Sequence, residues 1–394
     1  MKHFISTENI TKEELEKLFE LADKIKTNPK FFAELLKGKI VATLFFEPST
    51  RTRLSFESAI LRLGANLIST ENARENASAT KGESLEDTVR VMSGYADAIV
   101  MRHFEDDSAV RAGAVSSVPV INAGAGKAEH PTQALLDVFT LRAKKKKLNG
   151  LSVAIMGDLK YGRTSHSFVK LLSLYEDITV FGYAVKGLEL GDDYIDFLKG
   201  RGVRYIPVNS FEEIPNDVDA IYQTRIQKER FGFDGLDATL IEVDKFCINR
   251  MAMDRLSDGT LIMHPLPRAG EIDPEVDNDP RCVYFEQAQN GVYTRMALLV
   301  ELLGNTPSLG HPSKGVEFDG FTDKKEFHSF GGVSVGRGGY DNVIYIDVNQ
   351  KDNYSIDNID AVKELLRQEK EKDENKNPEK QQKLDEAIKA LDKK

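Results

Sequence analysis

Apolar positions along this chain either recur at helical spacing or cluster in short runs, and the switches between the two lay out its organisation. Thr11 and Glu14 stand at capping-box spacing, and Leu15, Leu18, Phe19, Ala22 and Ile25 follow at helical intervals, which predicts an opening amphipathic helix. Residues 39–46 (KIVATLFF) then form a short apolar run of strand-forming types. Strands and helices alternate from there: strands at 65–69, 97–101 (DAIVM) and 118–121, helices at 84–95 and 133–142. Asn149-Gly150 is a turn signal, and residues 151–156 (LSVAIM) open a second alternating set. That set has a helix at 165–174, strands at 178–182, 220–223 and 261–264, and a long apolar-faced helix at 287–303.

Alternation of this kind predicts α/β architecture: two doubly wound parallel sheets, each covered by helices on both faces, with a ligand cleft between them. The expected boundaries are 1–148 for the first domain and 149–307 for the second, with the last helix packing back on the first domain. After Pro307 the pattern changes. Residues 311–340 are rich in Gly, Lys and Phe, 342–348 (NVIYIDV) reads as a strand, and 358–371 and 378–391 as charged helical segments. Residues 308–394 are therefore expected to be a small α+β extension.

Composition narrows the function classes. With 41% hydrophobic and 29% charged residues the chain is globular, and no run approaches the ~20 apolar residues of a membrane helix. The first eleven residues hold no apolar stretch of signal-peptide type, and there are only two cysteines, Cys247 and Cys282. A disulfide framework and a four-cysteine zinc site are excluded, and a reduced cytoplasmic protein is the expectation. A formal net charge of −10 argues against generic nucleic-acid binding. It leaves room for a small anionic substrate held by local arginines.

Residues 46–56 (FEPSTRTRLSF) point to such a pocket. A strand runs into Glu47-Pro48, and a helical pattern begins at Ser49-Thr50-Arg51-Thr52-Arg53. A helix N-terminus offers free N–H groups and partial positive charge, to which these hydroxyls and guanidinium groups would add donors. This is a cradle for a phosphate. An N-cap serine followed by surface arginines fits the local pattern equally well. The segment Gly124-Ala125-Gly126-Lys127 matches neither the P-loop nor the dinucleotide spacing.

Further motifs stand in order along the chain: Lys81-Gly82-Glu83, Met101-Arg102-His103, His130-Pro131-Thr132-Gln133, residues 157–164 (GDLKYGRT), residues 224–230 (TRIQKER) and residues 264–268 (HPLPR). With STRTR at their head, the seven in register resemble the transcarbamoylase family, and within it the aspartate carbamoyltransferase catalytic chains, from about Phe4 to Gly304. The resemblance implies transfer of a carbamoyl group from carbamoyl phosphate to the amine of L-aspartate, an early step of de novo pyrimidine biosynthesis. It implies that Ser49, Thr50, Arg51 and Thr52 hold the phosphate and that Arg102 bridges phosphate and carbonyl oxygen. Thr52 and His130 would donate to that oxygen, Gln133 would hold the carbamoyl amide, and the backbone of Leu266 and Pro267 would contact the carbamoyl nitrogen and the amine. Arg163 would take the α-carboxylate of aspartate and Arg225 its side-chain carboxylate, with Gln227 in support.

By the same resemblance Lys81 reaches the active site of a neighbouring subunit, so that a homotrimer shares its sites. One departure falls nearby: the serine usual four residues before that lysine is Ala77 here, with Ser78 beside it. Ornithine enzymes of the family carry H-C-L-P where this chain has His264-Pro265-Leu266-Pro267, and Arg225 would repel an ornithine ammonium. The expected chemistry needs neither metal nor organic cofactor and runs on positioning and electrostatics. Partners expected are the two substrates and sister subunits, with a regulatory subunit or higher assembly also open; neither nucleic acid nor membrane is expected. A transcarbamoylase for another amine, or an inactive anion-binding paralogue, remain the rival readings.

Overall fold

In the computed structural model β1 (Ile40–Phe45) buries five of its six side chains, on both faces, as a strand inside a parallel sheet must. The structure describes residues 1–72, 82–226, 243–304, 326–330, 333–337 and 367. β1 pairs in parallel with β2 (Asn66–Glu71) on one side and β3 (Ala98–His103) on the other, and β4 (Val120–Ala125) completes the order β2-β1-β3-β4. The second sheet is also parallel, in the order β7-β6-β5-β8-β9. Its strands are β5 (Ser152–Gly157), β6 (Thr179–Ala184), β7 (Arg204–Val208), β8 (Ala220–Gln223) and β9 (Leu261–Met263).

Helices connect the strands. α1 (Lys12–Thr27) precedes β1, and α2 (Thr50–Arg62), α3 (Leu85–Ser93) and α4 (Ser108–Val115) cross over within the first sheet. α5 (Pro131–Lys145) leads to the second sheet, where α6 (Arg163–Leu172), α7 (Asp192–Gly200) and α8 (Arg250–Arg255) follow, and α9 (Tyr284–Leu303) comes last. The capping box of α1 forms as its sequence predicts: Thr11 Oγ1 accepts from Glu14 N–H at 3.2 Å, and Glu14 Oε2 from Thr11 N–H at 3.0 Å. Such a cap contributes about 1 kcal/mol.

α5 and α9 hold the two sheets in one body. Every residue of α5 from Pro131 to Leu141 is buried, and α9 packs against α1, α2 and α5. One apolar cluster runs from Phe19 on α1 through Leu135 and Phe139 on α5 to Val153 on β5 and Phe168 on α6. Within that joint lies a polar seam. Asn290 donates to Thr140 Oγ1 at 2.9 Å and Gln287 to Asp137 Oδ1 at 2.6 Å, which satisfies groups that burial would otherwise leave costly.

Four elements carry no clear signal in the pattern. α4 and α8 are short. α7 opens with two acidic residues and buries only Leu198. β7 contains Pro207, tolerated because β7 is an edge strand. Residues Pro307–Lys394 make up a second compact unit. Its described elements are an antiparallel pair, β10 (Glu326–Phe330) with β11 (Val333–Arg337), and helical Arg367. The pair falls where the sequence pattern showed only a Gly-, Lys- and Phe-rich stretch. Apart from Arg367, the strand expected at 342–348 and the helices expected at 358–371 and 378–391 lie outside the described residues.

Candidate active site

Each sheet has one place where successive crossovers leave in opposite directions, between β1 and β3 in the first and between β5 and β8 in the second. Loops diverge there and open a crevice at the carboxyl ends of the strands. A cleft of about 730 Å³ draws its lining from both places.

From the first sheet, β1 runs through Glu47 and Pro48 into α2, whose N-cap residue is Ser49. Ser49 makes no side-chain capping bond and the first turn holds no acidic residue, so nothing on the helix itself neutralises its positive end. Arg51 and Thr52 line the cleft, and burial lowers the Arg51 pKa. Arg102 comes from the end of β3, and His130 from the N-cap of α5. Gly124, at φ +126°, lets β4 pass this arginine: a Cβ there would lie 3.2 Å from Arg102 Nη1.

The charges are set by burial. Arg102 is lowered to about 10, first by desolvation and then by the charge of Arg163, and Glu47 offsets part of this at 3.4 Å from its Nε. His130 is pushed well below the usual histidine range by burial, and then by Arg102, Arg163 and Arg295. It is therefore a neutral imidazole at pH 7, able to polarise an oxygen through one hydrogen bond but not through a full charge. Its Nε2 stands 3.4 Å from Thr52 Oγ1, and its backbone N–H donates to Ser167 Oγ at 3.0 Å.

The second sheet supplies two more arginines. Arg163 begins α6 after β5; it donates to the Gly126 carbonyl and stands 3.8 Å from Glu47. Arg225 follows β8. Its loop is drawn in by Thr224, whose backbone N–H and Oγ1 both donate to the Met156 carbonyl (2.8 and 2.9 Å). Gly157, at φ +114°, is required there because a Cβ would lie 2.6 Å from the Thr224 carbonyl.

After β9, His264 organises the loop that closes the cleft. Its Nδ1 accepts from Leu266 N–H at 2.7 Å, so its proton resides on Nε2, which donates to Glu271 Oε1 at 2.7 Å. This holds Leu266 in the left-handed region at φ 55°, before a cis peptide bond to Pro267.

Of the residues singled out in the sequence, Ser49, Thr50, Arg51, Thr52, Arg102, His130, Gln133, Arg163, Arg225, Leu266 and Pro267 all line this one cleft. Lys81 and Gln227 lie outside the described residues, as does Ser78. Sequence reasoning missed Glu47, Gln287 and Arg295. Glu47 is an acid beside a basic loop, while Gln287 and Arg295 recur at helical spacing on α9, a face that reads as core. Among the described residues no group of three or more His, Cys, Asp or Glu side chains is arranged to hold a metal ion, and no helix is long and apolar enough to cross a membrane.

Residues 2–143 match the carbamoyl-P binding domain of the aspartate/ornithine carbamoyltransferases, and residues 149–302 match their Asp/Orn binding domain. The chain is 47% identical over 301 residues to the chloroplastic aspartate carbamoyltransferase of Arabidopsis thaliana, covering 76% of this chain and 77% of the relative. It is 42% identical over 303 residues to the aspartate carbamoyltransferase catalytic subunit of Clostridium novyi, covering 77% and 98%. Among solved structures, the catalytic subunit of M. jannaschii aspartate transcarbamoylase superposes with a TM-score of 0.70 at 43% identity, covering 77% and 98%. The Trypanosoma cruzi enzyme in complex with carbamoyl phosphate and aspartate superposes with a TM-score of 0.72 at 35% identity, covering 77% and 97%.

Proposed function

Since this chain belongs to the aspartate/ornithine carbamoyltransferase family, we propose a division of labour across its cleft. The activity is that of an aspartate carbamoyltransferase, which makes N-carbamoyl-L-aspartate and phosphate in pyrimidine biosynthesis. Residues 1–148 bind carbamoyl phosphate, 149–307 bind aspartate, and 308–394 are an extension.

The phosphate dianion sits on the N-terminus of α2, held by Ser49, Thr50, Arg51 and Thr52. Arg102 spans phosphate and carbonyl oxygen. Attack by the aspartate amine places negative charge on that oxygen, and Thr52, Arg102 and neutral His130 donate to it there. Each such donor contributes roughly 2.7–4 kcal/mol to the transition state. Gln133 and the backbone carbonyls of Leu266 and Pro267 hold the carbamoyl nitrogen. Arg163 takes the α-carboxylate and Arg225 the side-chain carboxylate, each with a planar fork matched to a planar anion, and Gln227 supports Arg225. Phosphate then leaves from the site that held it throughout.

The observation that carries this reading is the convergence of an uncapped helix N-terminus, Arg102 and His130 from one sheet with Arg163 and Arg225 from the other. The test is an assay of carbamoyl phosphate with L-aspartate against L-ornithine, in the wild type and an Arg225→Ala variant. Turnover with aspartate alone, lost in the variant, supports the assignment; turnover with ornithine, or a variant as active as the wild type, sinks it.

Lys81 is proposed to complete the site of a neighbouring subunit in a homotrimer, serving both substrates. Sedimentation gives the subunit number. Mixing inactive Lys81→Ala and Arg102→Ala chains restores part of the activity only where sites are shared. A cytoplasmic location rests on the low cysteine content, with cell fractionation as its test.

A further inference from the structure

Asp137 lies one turn beyond Gln133 on α5 and is fully buried. Three neutral side chains from three elements donate to it. Gln133 Nε2 reaches Oδ1 at 2.8 Å, Gln287 Nε2 from α9 reaches the same oxygen at 2.6 Å, and the Tyr222 hydroxyl from β8 reaches Oδ2 at 2.7 Å. Among the described residues, the full charge acting on it is that of Arg295 on α9, itself only 3% exposed and lining the cleft. This is the buried polar centre of the joint between the sheets, and the division of labour above gives it no task.

An amide side chain has two chemically different ends, and burial alone does not choose between them. A carboxylate accepts only. Facing Asp137, Gln133 must turn its NH2 inward, which leaves Oε1 as the atom it offers to the cleft. Gln287 is fixed at both ends: its NH2 meets Asp137, and its Oε1 accepts from the His264 backbone N–H at 2.9 Å. The same histidine receives the Leu266 N–H.

We propose that Asp137 is a positioning residue for carbamoyl transfer: its carboxylate orients the Gln133 amide to accept from the carbamoyl NH2 and, through Gln287, ties that amide to the His264–Pro267 loop on the other side of the same nitrogen. The proposal rests on the assignment of Gln133 to the carbamoyl group. Burial raises the Asp137 pKa to about 7, with the three donors and Arg295 acting against that rise. Near neutrality the carboxylate therefore takes up a proton as pH falls, becomes a weaker acceptor, and the clamp on Gln133 slackens.

Because Gln133 touches the carbamoyl group before and during transfer, losing its orientation raises the KM for carbamoyl phosphate more than it lowers kcat. The test is a cycle of Asp137→Ala, Gln133→Ala and the double variant, with Asp137→Asn as the conservative replacement. The amide introduced by that replacement keeps an Oδ1 for both glutamines and does not titrate. Expected results are a rise of about tenfold in carbamoyl phosphate KM for each alanine variant, no further rise in the double variant, and recovery to within about threefold in Asp137→Asn. The wild type should also lose carbamoyl phosphate affinity as pH falls through about 7, and Asp137→Asn should not.

Additive alanine effects, with Gln133→Ala itself raising KM, overturn the Asp137 proposal and leave the Gln133 assignment standing. A silent Gln133→Ala overturns both. If the alanine variant does not fold, the Asp137→Asn pH profile decides: a wild-type bend retained in that variant overturns the proposal.

Discussion

The two halves of the cleft obey one positional rule with different donors. In each sheet the binding groups stand where the crossovers diverge, at the ends of β1 and β3 or of β5 and β8. In the proposed division of labour the first half takes a tetrahedral phosphate with a helix N-terminus, hydroxyls and a buried arginine, donors that converge from many directions. The second, on the same proposal, takes planar carboxylates with the forks of Arg163 and Arg225. Topology thus chooses the place, and the shape and charge distribution of the anion choose the side chains. Arg163 also crosses between the halves, since it reaches Glu47 and the Gly126 carbonyl of the first.

The largest effect that separates the halves is expected from Arg102→Ala. It removes an oxyanion donor and leaves Glu47 without that partner, so kcat should fall roughly 10²–10³-fold, with a smaller change in the KM for aspartate. Steady-state kinetics with each substrate varied checks this; a variant that lost only aspartate affinity would blur the two halves into one. Next is Arg225→Ala, for which the aspartate KM should rise roughly 100-fold. Carbamoyl phosphate binding, measured by calorimetry without aspartate, should stay within about threefold of the wild type.

A third test concerns stability against pH. His103, His130, His166 and His264 all have pKa values lowered, each first by burial. Below about pH 6.5 the unfolded chain takes up protons that the folded chain refuses. Stability from these groups is therefore present above that pH and falls as pH drops through it, so Tm should decline between pH 7 and 5. Asp137, with its raised pKa, acts in the opposite sense: its cost builds as pH rises from 3.8, where the unfolded carboxyl ionises, to about 7, and is fully present above that. Thermal unfolding of Asp137→Asn against the wild type at pH 6 and pH 8 separates the two, the variant gaining relative stability at pH 8.

The smallest effect is expected from removing the extension. Relatives such as the Clostridium novyi catalytic subunit align over 98% of their length with the first part of this chain. A chain ending at Thr306 should keep kcat and both KM values within about threefold. Sedimentation of the same truncated chain shows whether residues 307–394 contribute to assembly.

Most of the strands and helices of both sheets are legible in the sequence, and its described candidate residues line one cleft. Short apolar runs of strand-forming residues mark strands buried on both faces, a period of 3.6 marks helix faces, and strand ends carrying Ser, Thr, Arg and His stand out against those runs. Short α4, the Pro-bearing edge strand β7 and the β10–β11 pair carried too few periods to read. The neutrality of His130 was equally hidden, because it follows from burial and from Arg102, Arg163 and Arg295, which lie far apart in the chain.

What the amino-acid order determined by itself was the two α/β sets, the turn at Asn149-Gly150 and the types of donor at each strand end, because these follow from local spacing and chemistry. Only the tertiary structure decided how the two crevices face one another, which glutamine end meets Asp137, and that Glu47 stands between Arg102 and Arg163. Those outcomes depend on side chains brought together from distant segments, where distance and exclusion of water set the energy of each contact.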